Sequence, residues 1–341
     1  MSRDRLFRAV LLVLCISSVR TAAAETPAQF YEGKTLTVVV GVAAGGGYDA
    51  YARFLAPHLE AVTGATVVVV NQPGASGILA LNRLMGQAPD GLTLMFANGS
   101  TSALAQFLRQ EGVRYDLSKM AWIAGVISER RVLIVPAGQD FTTLLGRSKD
   151  GTTLRWGGTG LASGQTLAAA LLSEAIGLKA RIVLGFKGSR QTVAALLGGE
   201  LDAVILSSSS AWKFARSEEL HAVATLAGSR SPLLPDVPAV LEHKELPASA
   251  HSWIELIAGF TTVGRAYVAP PGIDAARVAF LRAAFERILT DPVIKADAQT
   301  IGRPLHHTPG EEMAGRVARM LRNMTPERAD QIRNAILSRI H

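Results

Sequence analysis

The feature that most constrains this chain is a β-branched run, a glycine turn, an amphipathic stretch and a second β-branched run in immediate succession. Thr35–Val40 reads TLTVVV and Gly41–Gly47 reads GVAAGGG. The residues that follow put Ala52, Leu55, Ala56, Leu59 and Val62 on one helical face, before Gly64 and the run Thr66–Val70. A strand-forming run without polar alternation predicts a strand covered on both faces. The amphipathic stretch between two such runs is then a crossover helix, which makes the strands parallel.

The unit recurs along the chain. Asn71-Gln72-Pro73-Gly74 turns the backbone, Ile78 to Met85 is helical and Leu92–Phe96 is the next strand, so one βαβαβ half is complete by about residue 100. A second set comprises the strands Leu154–Gly157, Ala180–Leu184 and Asp202–Leu206, separated by helices over Thr166–Ile176 and Gln191–Leu197. Residues 229–238 hold three prolines and predict a long surface loop. Beyond it, Trp253–Thr261 reads as a strand and Asp274 as the N-cap of a helix burying Val278, Leu281, Phe285 and Ile288. Thr308 reads as the N-cap of C-terminal helices, with Pro309 at the first helical position. The expected fold class is α/β, with two similar lobes and an extra C-terminal helical segment.

Charge decides which partners are excluded. The 341 residues carry a formal charge of +7. Arg3, Arg5 and Arg8 precede the apolar stretch Ala9–Ile16 and the small residues Ala22-Ala23-Ala24, which reads as a secretory signal over residues 1–24, cleaved near Ala24-Glu25. The apolar stretch is too short to span a membrane. The mature chain then carries +4 with no Lys/Arg run longer than two, too little to neutralise a phosphate backbone, so no nucleic acid is expected. Cys15, the only cysteine, falls in the leader. The exported chain must fold without disulfides on its apolar core, and thiolate metal sites are excluded.

Three strand-to-helix turns are rich in Gly, Ser and Thr: Gly41–Gly47, Asn98–Ser102 and Gly157–Gly164. At such turns the first helical amides lack intrahelical partners, so a small anion can bind without a cationic side chain. The alternative is that these glycines only relieve strain in tight connections. Tyr48 follows GVAAGGG where a phosphate loop needs Lys, and no G-x-G-x-x-G, G-x-S-x-G or H-E-x-x-H occurs. The histidines are scattered, no metal ligand set stands out and no cofactor is expected. Asp49 fits a first-turn carboxylate complementing the helix dipole, and Asp202 a strand-entry residue near the cleft. The competing reading is an exported enzyme with Asp49 or Asp202 as base, although no nucleophile–base pair stands at recognisable spacing.

Val39–Arg53 (VVGVAAGGGYDAYAR), Asn71–Gly77, Ala88–Leu94, Gly185–Gly188, Leu197–Asp202, the stretch from Arg230 to Pro238 and Ala269–Gly272 occur in an order that resembles the tripartite tricarboxylate transporter substrate-binding family, the Bug-type extracytoplasmic solute receptors, over about residues 30–315. The resemblance implies a periplasmic-binding-protein-like fold. Two α/β lobes would enclose a cleft, joined by inter-lobe crossover strands near 125–135 and 250–260. Lobe I would comprise 25–127 plus 254–341, and lobe II 128–253. It also implies a periplasmic monomer that is not an enzyme, holds a small organic carboxylate on backbone amides, and delivers it to integral-membrane permease subunits. A sensor feeding a membrane signalling partner would share the same fold and ligand.

By position, Ala43, Ala44, Gly45 and Gly46 of the first loop and Gly158, Thr159, Gly160 and Ser163 of the second would grip the carboxylate. Asn98 and Ser100 would line lobe I, with Tyr48, Asp49 and Asp202 as further candidates. Lys187 and Arg265 are the cations that could reach the cleft. The chain departs from the family pattern at Gly41, where Pro is common, at Gly185-Phe186, where Pro-Tyr is common, and at Tyr48, where a small residue is common.

Overall fold

The computed structural model describes residues 25–340 apart from Ser128 and Glu245, so the expected export signal lies outside the described residues. A short capped helix α1 (Pro27–Tyr31) leads into β1 (Thr35–Val40). After the glycine turn, α2 (Gly47–Thr63) buries Tyr51, Ala52, Leu55 and Leu59 and ends at Gly64. The φ of 73° at Gly64 is a left-handed conformation that glycine adopts without strain. Next come β2 (Thr66–Asn71), α3 (Ile78–Met85), β3 (Thr93–Asn98), α4 (Gly99–Phe107) and β4 (Ala121–Ile127).

The chain then enters a second lobe with β5 (Arg131–Pro136), α5 (Phe141–Lys149), β6 (Leu154–Gly157), α6 (Gly164–Ile176), β7 (Ala180–Val183), α7 (Ser189–Leu197), β8 (Val204–Ser207), α8 (Ser208–Phe214) and β9 (Leu220–Thr225). It returns through α9 (Ala250–Thr261), β10 (Arg265–Ala269), α10 (Ala275–Thr290), α11 (Pro292–Thr300), β11 (Thr308–Pro309), α12 (Gly310–Asn323) and α13 (Pro326–Leu337). Among the described residues, no helix is long and apolar enough to cross a membrane.

The first sheet has the order β11-β4-β10-β3-β1-β2, and only β10 and β11 run against the others. In the second lobe, β5 lies antiparallel between β8 and β9, while β6 and β7 pair in parallel. A parallel bridge between Trp156 and Ala203 joins the two pieces into the order β7-β6-β8-β5-β9. That order repeats β2-β1-β3-β10-β4 of the first lobe, strand for strand. In each lobe the antiparallel strand is the one arriving from the other lobe.

One expectation about the crossings changes. The first crossing is where the sequence puts it, between β4 and β5. The second runs from β9 to β10, and its residues 250–261 form helix α9 rather than a strand. The physical reason is period: the buried Ala250, Ile254, Ile257, Phe260 and Thr261 recur at helical intervals, and twelve residues exceed an ordinary strand. Thr308 is likewise no helix cap. It pairs with Gly125 in β11, and the helix starts at Gly310. The TVVVV run also differs from expectation, because β2 is an edge strand with no buried residue, whereas β1 is buried on most of its length.

Packing ties the lobes together in two places, one of them where Trp212 and Lys213 meet Gly302. At the other, α9 lies against α6 and α4, and one apolar cluster running through Met95, Leu104, Leu171, Ile254, Ile257 and Phe260 spans both lobes. The sequence places 254–341 with lobe I, and α12 does pack on β4. By contrast, α13 packs on α6, and Arg339 pairs with Glu174 of that helix at 2.8 Å. The last helix therefore bridges the lobes, since Arg333 also donates to the Leu108 carbonyl of lobe I.

Candidate functional site

A cavity of about 360 Å³ lies between the lobes. Lobe I contributes Val42, Tyr48, Asn98 and Thr101; lobe II contributes Arg131, Thr159, Ser163 to Gln165, Phe186 to Ser189, and Ser207. These residues gather because β1, β3, β6, β7 and β8 all end at this face, the ligand position of open α/β sheets. A larger groove of about 590 Å³ lies between α9, α12 and α13, away from the strand ends, and size alone does not make it the site.

The electrostatics favour an anion. None of the side chains lining the cavity is a carboxylate, whereas Arg131 and Lys187 both face it. Two of the helices that start here, α2 at Gly46 and α7 at Gly188, have no side-chain cap hydrogen bond. α4 and α6 are capped instead by Asn98, which accepts from the Thr101 amide, and Ser163, which accepts from the Thr166 amide. Uncapped amides with the dipole behind them are donors waiting for an acceptor.

The first loop is held in place from behind. Asp49 accepts hydrogen bonds from the Gly45 amide and from Arg53 Nε, both at 2.9 Å. Arg53 also donates to Asn71 Oδ1, and Asn71 Nδ2 donates to the Val42 carbonyl. Burial alone would raise the Asp49 carboxyl, but the Gly45 and Arg53 hydrogen bonds outweigh it and hold it below the usual carboxylate range. Asp49 is therefore a brace for the loop, and the Gly45 amide is already committed to it. Ala43 and Ala44 are exposed and do not line the cavity, and Gly46 caps α2.

Other residues expected at the site fall elsewhere. Ser100 Oγ donates to the Phe260 carbonyl at 2.5 Å, a structural bond between α4 and α9. The Gly158 amide donates to the Val183 carbonyl, and Gly160 accepts from the Ser163 amide within the turn. Thr159, Ser163, Asn98 and Tyr48 do line the cavity. So does Phe186, so that two of the three departures from the family pattern sit in the cavity wall. Burial raises the Tyr48 phenol, and the neighbouring Arg265 opposes that shift; the neutral hydroxyl is a donor at neutral pH.

The structure places Asp202 away from this cavity. It precedes β8 and so stands at the end of that strand opposite Ser207 and the cavity. Its oxygens accept from the Arg155 amide at 2.8 Å, from Arg155 Nε at 3.0 Å and from Arg147 at 2.8 Å. Burial would raise this carboxyl, yet the Arg155 and Arg147 bonds outweigh it and lower it. The stability it contributes is therefore present above the unfolded carboxylate value of about 3.9 and lost as pH falls through the lower native value. Both arginines are part-exposed and can rehydrate, so Asp202→Ala is expected to cost about 1–3 kcal/mol in urea unfolding at pH 7 with ligand affinity unchanged. A loss of affinity beyond the stability effect would return Asp202 to the site. With both carboxylates engaged by arginines, neither Asp49 nor Asp202 is poised as a general base.

Sequence reasoning missed Arg131, Gln165 and Thr101. It left Lys187 and Arg265 open. Lys187 lines the cavity; Arg265 lies behind Tyr48, its guanidinium 5.0 Å from the Tyr48 ring centroid and 4.8 Å from that of Tyr51.

The family model described as "Tripartite tricarboxylate transporter family receptor" matches residues 51–303. Protein BugT of Bordetella pertussis is 25% identical over 320 residues, covering 91% of this chain and 93% of that protein. Among solved structures, MatC from Rhodopseudomonas palustris with bound malate is 24% identical, with a TM-score of 0.66 over 89% of this chain and 99% of that one. The periplasmic binding protein BugD is 22% identical, with a TM-score of 0.69 over 89% of this chain and 98% of that one. These likenesses carry the two-lobed α/β fold.

Proposed function

The chain belongs to the tripartite tricarboxylate transporter receptor family, and on that premise we propose that it is a periplasmic solute-binding protein that captures a small organic carboxylate between its lobes. The observation that carries this reading is the cavity itself: donors from both lobes, two uncapped helix N-termini, two cations and no carboxylate in the lining. MatC, a structural relative, holds malate. Its ligand class supports the assignment.

A carboxylate bridging Tyr48 and the α2 N-terminus on one side to the α6 and α7 turns on the other makes its full set of contacts only when the lobes are together. Binding then shifts the chain toward the closed form by the contacts made in that form alone. The connections from β4 to β5 and from β9 to β10 are the segments about which the lobes would rotate. The closed, ligand-loaded form is the one a permease of integral-membrane subunits would recognise, and capture for such a permease is the biological role we assign.

The test is a thermal-shift screen of the mature chain against organic acids. A ligand at a hundredfold excess over its Kd is expected to add about 2.7 kcal/mol to folding stability. If no acid in a broad panel shifts the melting temperature, the carboxylate reading fails.

A further inference from the structure

The two lobes carry the same device with different outcomes. Each antiparallel crossover strand begins with arginine: Arg265 opens β10 opposite Asn98, and Arg131 opens β5 opposite Ser207. Because these strands run against their neighbours, their first residues stand where the other strands end, at the cavity. Arg265 is neutralised by Glu129 at 3.1 Å. Arg131 has neither an ion pair nor a side-chain hydrogen bond among the described residues.

The ionisable groups that face Arg131 are Glu129, Tyr48 and Arg265. One carboxylate cannot neutralise two guanidinium groups, so the unit retains a net positive charge. Burial also lowers the Arg131 pKa from its ordinary value, although a guanidinium stays charged at any physiological pH. Its guanidinium rests over Gly164, the first residue of α6, where any Cβ would collide with it. Beside it, Gln165 is buried and lines the cavity, and its Oε1 has no hydrogen-bond partner. Arg131 is part-buried and shares its one facing carboxylate, Glu129, with Arg265, so an anion entering the cavity gains a charge-assisted partner there.

Resting on the reading of this cavity as a carboxylate site, we propose that Arg131 is its charged anchor. The uncapped α2 amides take one carboxylate of the ligand and Arg131 takes a second anionic group. The cavity thereby prefers a dianion to a monoanion of the same shape.

Calorimetric titration of the mature chain with α,ω-dicarboxylates of three to six carbons and with their monoamides tests this, since each monoamide keeps the shape and loses one charge. The wild type is expected to bind at least one diacid about 10- to 100-fold more tightly than its monoamide. Arg131→Gln is expected to bring the two to equal affinity, while Arg131→Lys and Lys187→Gln retain part or all of the preference. Without ligand, Arg131→Gln should melt close to wild type, because the substitution removes neither an ion pair nor a side-chain hydrogen bond among the described residues. Equal weakening of diacid and monoamide in Arg131→Gln, or a preference that disappears only in Lys187→Gln, overturns the anchor role and leaves the carboxylate reading standing. If the wild type binds no diacid and no monoamide, the carboxylate reading falls and the anchor with it.

Discussion

Glu129→Ala is expected to lose about 3–5 kcal/mol of folding stability, the range for removing one partner of a buried ion pair. Glu129 and Arg265 are 8% and 12% exposed, so neither can recover much hydration on its own. The carboxylate also accepts from Ser209 Oγ at 2.7 Å, Ser208 Oγ at 3.0 Å and the Ser209 amide at 3.3 Å. Alanine therefore strands a guanidinium, two hydroxyls and a helix amide in one step. The Arg265 Nη1 contact to Glu129 is an ion pair outside hydrogen-bond angles, so its attraction is Coulombic and tolerates small displacements. Glu129→Gln keeps an acceptor for the serines but not the charge, and should fall between the two. Denaturant unfolding of the three proteins checks the order, and an alanine variant within about 1 kcal/mol of wild type would show the pair to be solvent-screened.

How much of this was legible beforehand follows from strand direction. The sequence signals for β1 and for the glycine turns are local, and residues at the ends of parallel strands, such as Asn98 and Thr159, could be assigned to the cleft from order along the chain. Arg131 could not. It begins its strand, and a strand's first residue belongs at the far end of a parallel sheet; only the reversal of β5 against β8 and β9 brings it to the cavity. Asp202 stands at the opposite end for the converse reason, since it precedes β8, which does run parallel to β6. The mostly apolar residues between Trp253 and Phe260, broken only by Glu255, concealed a helical period because α9 is packed by both lobes and so carries apolar residues around much of its circumference. That Asp49 would face Gly45 and Arg53 rather than the ligand depends on side-chain direction, which spacing does not give.

The NGSTS turn is a case where the alternative to ligand binding turns out to matter. The Gly99 amide donates to the Gly264 carbonyl at 2.7 Å, and a Cβ on Gly99 would run into the Val263 carbonyl. The obstacle is backbone, so no rotamer change relieves it. Gly99→Ala is expected to cost about 3 kcal/mol or more, at the upper end for overpacking. The same collision would push α4 away from the segment that enters β10, displacing Asn98 and Thr101 on the cavity side and Arg265 behind it. Ligand affinity should therefore fall together with stability, unlike the expected behaviour of Asp202→Ala, where only stability moves. Urea unfolding and titration of the same preparation separate the two outcomes. If Gly99→Ala unfolds like wild type and binds like wild type, the close approach of the two backbones does not hold the lobe I wall of the cleft.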